Sequence, residues 1–347
     1  MKMLLACLLL MGVARGQTAE QAAEALARRA DLDEIRWKDP ARGAAFRAGI
    51  VRATPEGLEV QRGTAKRLLA YDQLGGVRFG LSMGERQLIA EAKPESIPAL
   101  RVFWEARRLT LGIAGSNVGD FGLALARALR QEEAFAEALA IAREIAQGDH
   151  DPSRKGRALQ ESETLDFIQF LRTAKPVEIE KRAWNLIESA DESNPDLMLL
   201  LTGYLMLKEF EALRRLEEEN PKWMEDDEVR PARDRHYHRS LDLALYPGLF
   251  HPSRTTEAAA GLWQAAQVYR HTREEEREAN ALEDLLALYP GTARSAEARD
   301  RLLPLRAQLN RPAPGEPAHD PAEDEKPKAE KPAEPPPPPK RYNLFED

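Results

Sequence analysis

Residues 257–303, EAAAGLWQAAQVYRHTREEEREANALEDLLALYPGTARSAEARDRLL, constrain the fold more than any other stretch of the chain. They read as two helices, a Tyr289-Pro290 stop and the start of a third helix. Proline cannot continue a helix, because it lacks the amide donor and clashes with the preceding turn. A single helical pair leaves its apolar face open, so such a unit has to stack on neighbours. Stacked pairs create a concave surface, which suits a protein that holds other proteins.

Weaker versions of the pattern precede it. Ile97–Leu111 puts Leu100, Phe103, Trp104 and Leu111 near one helical face. Phe121–Ala146 reads as a helical hairpin with small residues where helices would pack closely. Ile179–Ala190 is amphipathic. Asp196–Asn220 reads as helix, short turn near Lys208-Glu209, and helix, stopped by Pro221. Gln17–Lys38 is Ala-rich and charged and predicts a lead-in helix.

Between the lead-in and the helices the period changes. Phe46–Gly63 alternates around Thr54-Pro55-Glu56-Gly57, which suits a type I turn. AKRLLAY and GGVRFG follow, joined by Asp72–Gly76. This predicts four short strands, or three and a half, a sheet too small to stand alone. Its pattern resembles small β-barrels of the SH3 or Sm type.

Residues 257–303 resemble a tetratricopeptide repeat (TPR). Counting back from Pro290, the family's small packing residue falls on Ala266 and its first-helix aromatic on Tyr269. Its second-helix apolar positions fall on Leu282 and Leu285, and Leu262 takes the first apolar position. The small residue expected at 278 is a glutamate, with Ala279 one place late. LEDLLALYPGTARSAEA is also similar to the repeats of periplasmic coordinators of outer-membrane assembly and of the Tol–Pal system. The resemblance implies a non-enzymatic protein that binds envelope proteins.

The two ends differ from the middle. Met1–Gly16 carries Lys2, an apolar run from Met3 to Val13, and small residues at Ala14 and Gly16. That is the build of a cleavable export signal, too short to span a bilayer. Leu4-Leu5-Ala6-Cys7 superficially fits a lipid-attachment box, but it lies inside the apolar run. Cys7 is the single cysteine, so cleavage leaves neither a disulfide nor a thiolate site. Losing Lys2 and Arg15 also makes the mature chain more acidic than the whole chain's net −8, which disfavours nucleic acid. From Arg311 the chain is proline-rich, with five consecutive prolines at Pro335–Pro339, and predicts a disordered, extended arm. Tyr342, Leu344 and Phe345 bring apolar residues back at its end and are candidate partner contacts.

Residues able to carry chemistry are sparse. His236-Tyr237-His238 with His251 is the nearest approach to a metal cluster, but residues two apart on a helix do not share a face. Asp226-Asp227-Glu228 is a run, not two carboxylates across a pocket. Gly115-Ser116-Asn117 fails the spacing of a nucleophile elbow, and the glycines at 112, 115, 119 and 122 match no phosphate-cradling motif. HExxH is absent. Trp104, Trp184, Trp223 and Trp263 are expected in helix packing.

The expectation is therefore a mostly α protein: an irregular TPR-like helical-repeat solenoid with a small N-terminal SH3/Sm-like β module and a disordered, proline-rich C-terminal tail. The divisions fall at 1–16 (signal), 17–43 (helical lead-in), 44–83 (β module), 84–310 (repeat domain) and 311–347 (tail). The expected function is a periplasmic, non-enzymatic scaffold that binds protein partners, without cofactor, metal, nucleic acid or a membrane span after signal cleavage. The rivals are an envelope-complex subunit using its β module, and an enzyme with a site hidden from sequence.

Overall fold

The computed structural model describes residues 18–28, 32–43, 45–189 and 194–311. The export signal, Cys7 and the arm with Tyr342, Leu344 and Phe345 lie outside the described residues. The protein is mostly helical with one small antiparallel sheet, and it divides into two compact units, Met1–Gly261 and Leu262–Asp347.

The first unit begins with helix α1 (Ala19–Ala27). Thr18 starts it with a reciprocal cap: the Gln21 amide donates to Thr18 Oγ1 at 3.2 Å, and the Thr18 amide to Gln21 Oε1 at 3.0 Å. The predicted lead-in helix ends at Ala27. Residues 33–37, expected within it, form strand β1 (Asp33–Trp37). The strands β2 (Phe46–Thr54), β3 (Gly57–Arg62), β4 (Ala65–Leu69) and β5 (Leu74–Arg78) follow. The sheet thus has five strands, not four, in the order β4-β3-β2-β1-β5. The reason β1 escapes a hydrophobic reading is chemical. Its inward positions are Ile35 and Asp33, both fully buried, and Asp33 acts as a backbone acceptor. The Ile50 amide donates to Asp33 Oδ2 at 2.7 Å, and the Gly80 amide to Oδ1 at 2.9 Å.

The β2–β3 turn forms at Pro55-Glu56, as the spacing predicts. Gly57 has φ +152°, and a Cβ there would lie 2.2 Å from the Leu69 carbonyl oxygen, so only glycine fits. A 3-10 turn, Tyr71–Gln73, leads into β5. The outer edge of β5 is covered by the loop before α4 (Val118–Gln131). The Val77 amide donates to Ala114 O at 2.9 Å, and the Asn117 side chain exchanges two hydrogen bonds with the Phe79 backbone at 2.9 and 3.1 Å. The opposite edge strand, β4, stays exposed from Ala65 to Leu68.

Helices α2 (Met83–Glu91) and α3 (Ile97–Arg107) lie between the sheet and α4 in sequence. Helices α5 (Phe135–Gly148), α6 (Pro152–Thr173), α7 (Pro176–Ser189), α8 (Pro195–Glu219) and α9 (Arg230–Phe250) continue the unit. α10 (Thr255–His271) contains the boundary between the units, and α11 (Glu275–Leu288) and α12 (Ala293–Gln308) complete the second. In the first unit α4 packs on α5, α5 on α6, α6 on α8 and α8 on α7 and α9; in the second α11 packs on α12.

Gly122 explains the close approach at α4. A Cβ there would sit 2.5 Å from the Trp104 ring and 2.6 Å from Ile145. Beside it, the fully buried Arg107 guanidinium lies 4.7, 5.1 and 5.1 Å from the ring centres of Phe79, Phe103 and Phe121 and 3.2 Å from Glu85. Aromatic faces and a carboxylate together offset the cost of removing that cation from water.

The predicted break near Lys208-Glu209 is absent: α8 runs unbroken for 25 residues. No glycine or proline stands there to end it, and Glu209 is buried against α9, 2.5 Å from His236 Nδ1 and 3.5 Å from Arg239. By contrast, the hairpins α4–α5 and α10–α11 turn through the same geometry. Glu133 (φ +58°) and Arg273 (φ +62°) take the left-handed conformation. Ala134 N–H donates to Leu129 O at 2.9 Å, and Glu274 N–H to Tyr269 O at 2.8 Å.

Candidate functional site

The most site-like feature of the first unit is a cleft among α4, α6 and the start of α8. On α4, Leu123, Arg127 and Arg130 stand on one face; on α6, Arg157, Gln160, Glu161, Thr164 and Ile168 do so. α8 contributes its first turn, because Asn194-Pro195 is a strong helix start. The Leu197 amide donates to Asn194 Oδ1 at 3.2 Å, and Asn194 Nδ2 donates to Gln160 O at 2.9 Å and to Glu163 Oε2 at 3.0 Å. That one side chain both caps α8 and ties it to α6. Arg254 closes the cleft from the segment before α10.

Two cavities of about 170 and 320 Å³ share Thr164, Asp196 and Arg254. The smaller has a mixed lining that includes Leu123 and Pro195 beside Arg127, Arg157, Glu161 and Asn194. The larger adds Ile168, Leu199 and Leu200, with Arg130 and Glu257 as further charges. Arg130 Nη1 approaches Glu161 Oε2 at 3.2 Å and Asp196 Oδ2 at 3.5 Å. Arg254 holds the other oxygen of Asp196 at 2.5 Å, and Arg157 turns to Asp120 at 3.2 Å. Arg127 spends only its Nε, donating to Leu123 O at 3.3 Å; its terminal nitrogens have no partner among the described residues. Glu161 is 8% exposed, and its Oε1 is likewise without a hydrogen-bond partner among the described residues. Burial pushes the Glu161 carboxyl above the usual carboxylate range; Asp196 adds to this, while Arg130 and Arg127 oppose it.

The residues singled out in the sequence lie elsewhere. His236 faces Glu209, Tyr237 is buried, and His238 is exposed with its ring edge-on to Tyr237, so the two histidines occupy different faces of α9. His251 stands edge-on to Tyr246 beyond the end of the helix. Among the described residues no group of three or more histidines, cysteines or carboxylates is placed to hold a metal. No helix among them is long and apolar enough to cross a membrane. Trp104 is core, whereas Trp184, Trp223 and Trp263 each lie under an arginine: Arg239 at 4.7 Å, Arg233 at 4.3 Å and Arg294 at 5.8 Å.

In the second unit, Ala266, Leu282 and Leu285 are fully buried, Leu262 and Tyr269 are half-buried, and Pro290 is exposed at the turn before α12. Glu278, where the repeat pattern expects a small residue, is 1% exposed. Arg301 of α12 donates to both of its carboxylate oxygens, through Nε at 2.6 Å and Nη2 at 2.9 Å. The bulk and charge at 278 are matched from the next helix.

Arg127, Glu161, Asn194 and Arg254 escape a sequence reading because they come from distant segments and look like solvated helix charges. The signal available was the Asn194-Pro195-Asp196 helix start. No protein family, curated protein or solved structure matches the chain.

Proposed function

We propose that this chain is an exported, non-enzymatic adaptor whose cleft among α4, α6 and α8 holds an extended segment of a partner protein in the cell envelope. The carrying observation is the pairing of a polar end at Arg127 and Glu161 with an apolar floor at Ile168, Leu199 and Leu200. Such a cleft suits a peptide, whose backbone needs hydrogen bonds and whose side chains need apolar seats. Export rests on Met1–Gly16, and the helical-repeat reading on residues 257–303 together with the matching turns at Glu133 and Arg273. The perturbed Glu161 is the feature an enzyme would share. However, the Thr164 hydroxyl that shares the cleft is committed to Gln160 O at 3.0 Å, which leaves it poorly placed as a nucleophile.

A second reading places the partner on the β module. Its strand order, with a 3-10 turn before the last strand, is similar to that of SH3- and Sm-like barrels, and β4 offers an open edge with Leu68 53% exposed. An extended strand could add there, although Lys66 and Arg67 are the residues that commonly guard such edges.

The test is site-specific photo-cross-linking of the full chain in the native envelope, with the probe at Leu200 or at Leu68. The adaptor reading expects a discrete product at Leu200, mapped to one stretch of one protein. Products confined to Leu68 would move the function to β4.

A further inference from the structure

The charges around the cleft say what it should select. Arg127, Arg157 and Arg254 line the polar end with Glu161 and Asp196, and Arg130 and Glu257 line the adjoining larger cavity. Arg157 and Arg254 are already occupied by Asp120 and Asp196, and Arg130 by Glu161 and Asp196. Arg127 keeps its two terminal nitrogens available among the described residues, in the fork geometry that matches a carboxylate. The 25-residue α8 also opens onto the cleft by its N-terminus, the end that favours negative charge.

We propose that the cleft recognises an internal acidic side chain of the bound segment, its carboxylate paired with the Arg127 guanidinium and hydrogen-bonded to a protonated Glu161. The proposal rests on the groove reading given above. Glu161 is the element that makes the site conditional. As an anion it would repel the incoming carboxylate; as a neutral acid it can donate through Oε1, the oxygen that lacks a partner among the described residues, while Oε2 still accepts from Arg130. The groups facing it are Arg127 and Arg130 from α4, Arg157 from its own helix, Asp196 from α8, and Arg254. Asp196 is already held by two arginines, Arg130 and Arg254. Binding therefore takes up a proton at Glu161 and weakens as pH rises. A glutamine at 161 supplies a neutral donor and acceptor at any pH.

The test uses the full chain with labelled leucine methyls. Three blocked peptides are titrated, acetyl-Ala-Leu-Xaa-Leu-Ala-amide with Xaa as Glu, Gln or Lys. The shifts of Leu199 and Leu200 report occupation of the groove whatever Xaa is. The expected result is that the glutamate peptide binds at least about tenfold tighter than the glutamine peptide, or about 1.4 kcal/mol. Arg127→Gln should abolish that preference, and Glu161→Gln should keep it while removing its pH dependence. If the glutamine or lysine peptide shifts the leucines at equal or lower concentration, the groove reading stands and the carboxylate inference falls. If no peptide moves Leu199 or Leu200, the groove reading fails, and this inference fails with it.

Discussion

Replacing Glu278 by alanine tests whether the ion pair to Arg301 is what lets α11 bury a glutamate against α12. The carboxylate is 1% exposed and bonded at 2.6 and 2.9 Å to a guanidinium whose side chain is 29% exposed. Stripping one member from a fully buried pair costs about 3–5 kcal/mol, most of it the penalty of the charge left behind. Arg301 keeps partial access to water, so its residual penalty is smaller, and about 2 kcal/mol is expected for Glu278→Ala. The pair itself can be replaced: Glu278→Leu with Arg301→Met should lie within about 1 kcal/mol of the parent, because no charge is left unmatched. Native-state hydrogen exchange in α11 and α12 is the suitable assay, since it reads local opening. A loss of about 2 kcal/mol corresponds to roughly 30-fold faster exchange of amides protected by that opening. Exchange within about twofold of the parent in Glu278→Ala, or single-variant effects that simply add in the alanine double-variant cycle, would refute the argument.

Two further outcomes are expected. Glu161→Gln should change the pH dependence of stability: burial raises the folded-state pKa of Glu161, so its contribution is fully present below the unfolded value near 4.5 and is lost as pH rises through the folded value. Urea unfolding of the parent should therefore weaken relative to the variant from about pH 4.5 upward, and parallel curves would contradict it. Gly122→Ala should destabilise by about 1–3 kcal/mol in the same assay, because its methyl would meet Trp104 at 2.5 Å and Ile145 at 2.6 Å; an unchanged midpoint would mean the helices part at no cost.

Local chemistry was legible where it is self-contained. The Pro55-Glu56 turn, the α4–α5 hairpin and the α10–α11 pair with its Tyr289-Pro290 stop all rest on residues close in sequence. Elements stabilised from afar carry no such local signal. β1 buries an aspartate in place of an apolar residue, and its acceptor role depends on Ile50 and Gly80. α8 carries a buried glutamate where its charged Lys208-Glu209 pair suggests a turn, satisfied by His236 from α9. α6 is one of the longest helices, yet Pro152–Thr173 has too diluted an apolar period to announce itself.

By itself the sequence determined the helical class, the strand-rich segment, the turn positions and the sparsity of catalytic motifs, because those follow from backbone preference and from spacing along one element. Only the tertiary structure decided which of fifty basic and fifty-eight acidic residues face one another. Arg127 and Glu161 read along the chain as ordinary solvated helix charges. Packing α4, α6 and α8 together removes water from Glu161 and leaves the terminal nitrogens of Arg127 without a partner among the described residues, and it is desolvation, a property of the assembled helices, that turns those charges into a candidate site.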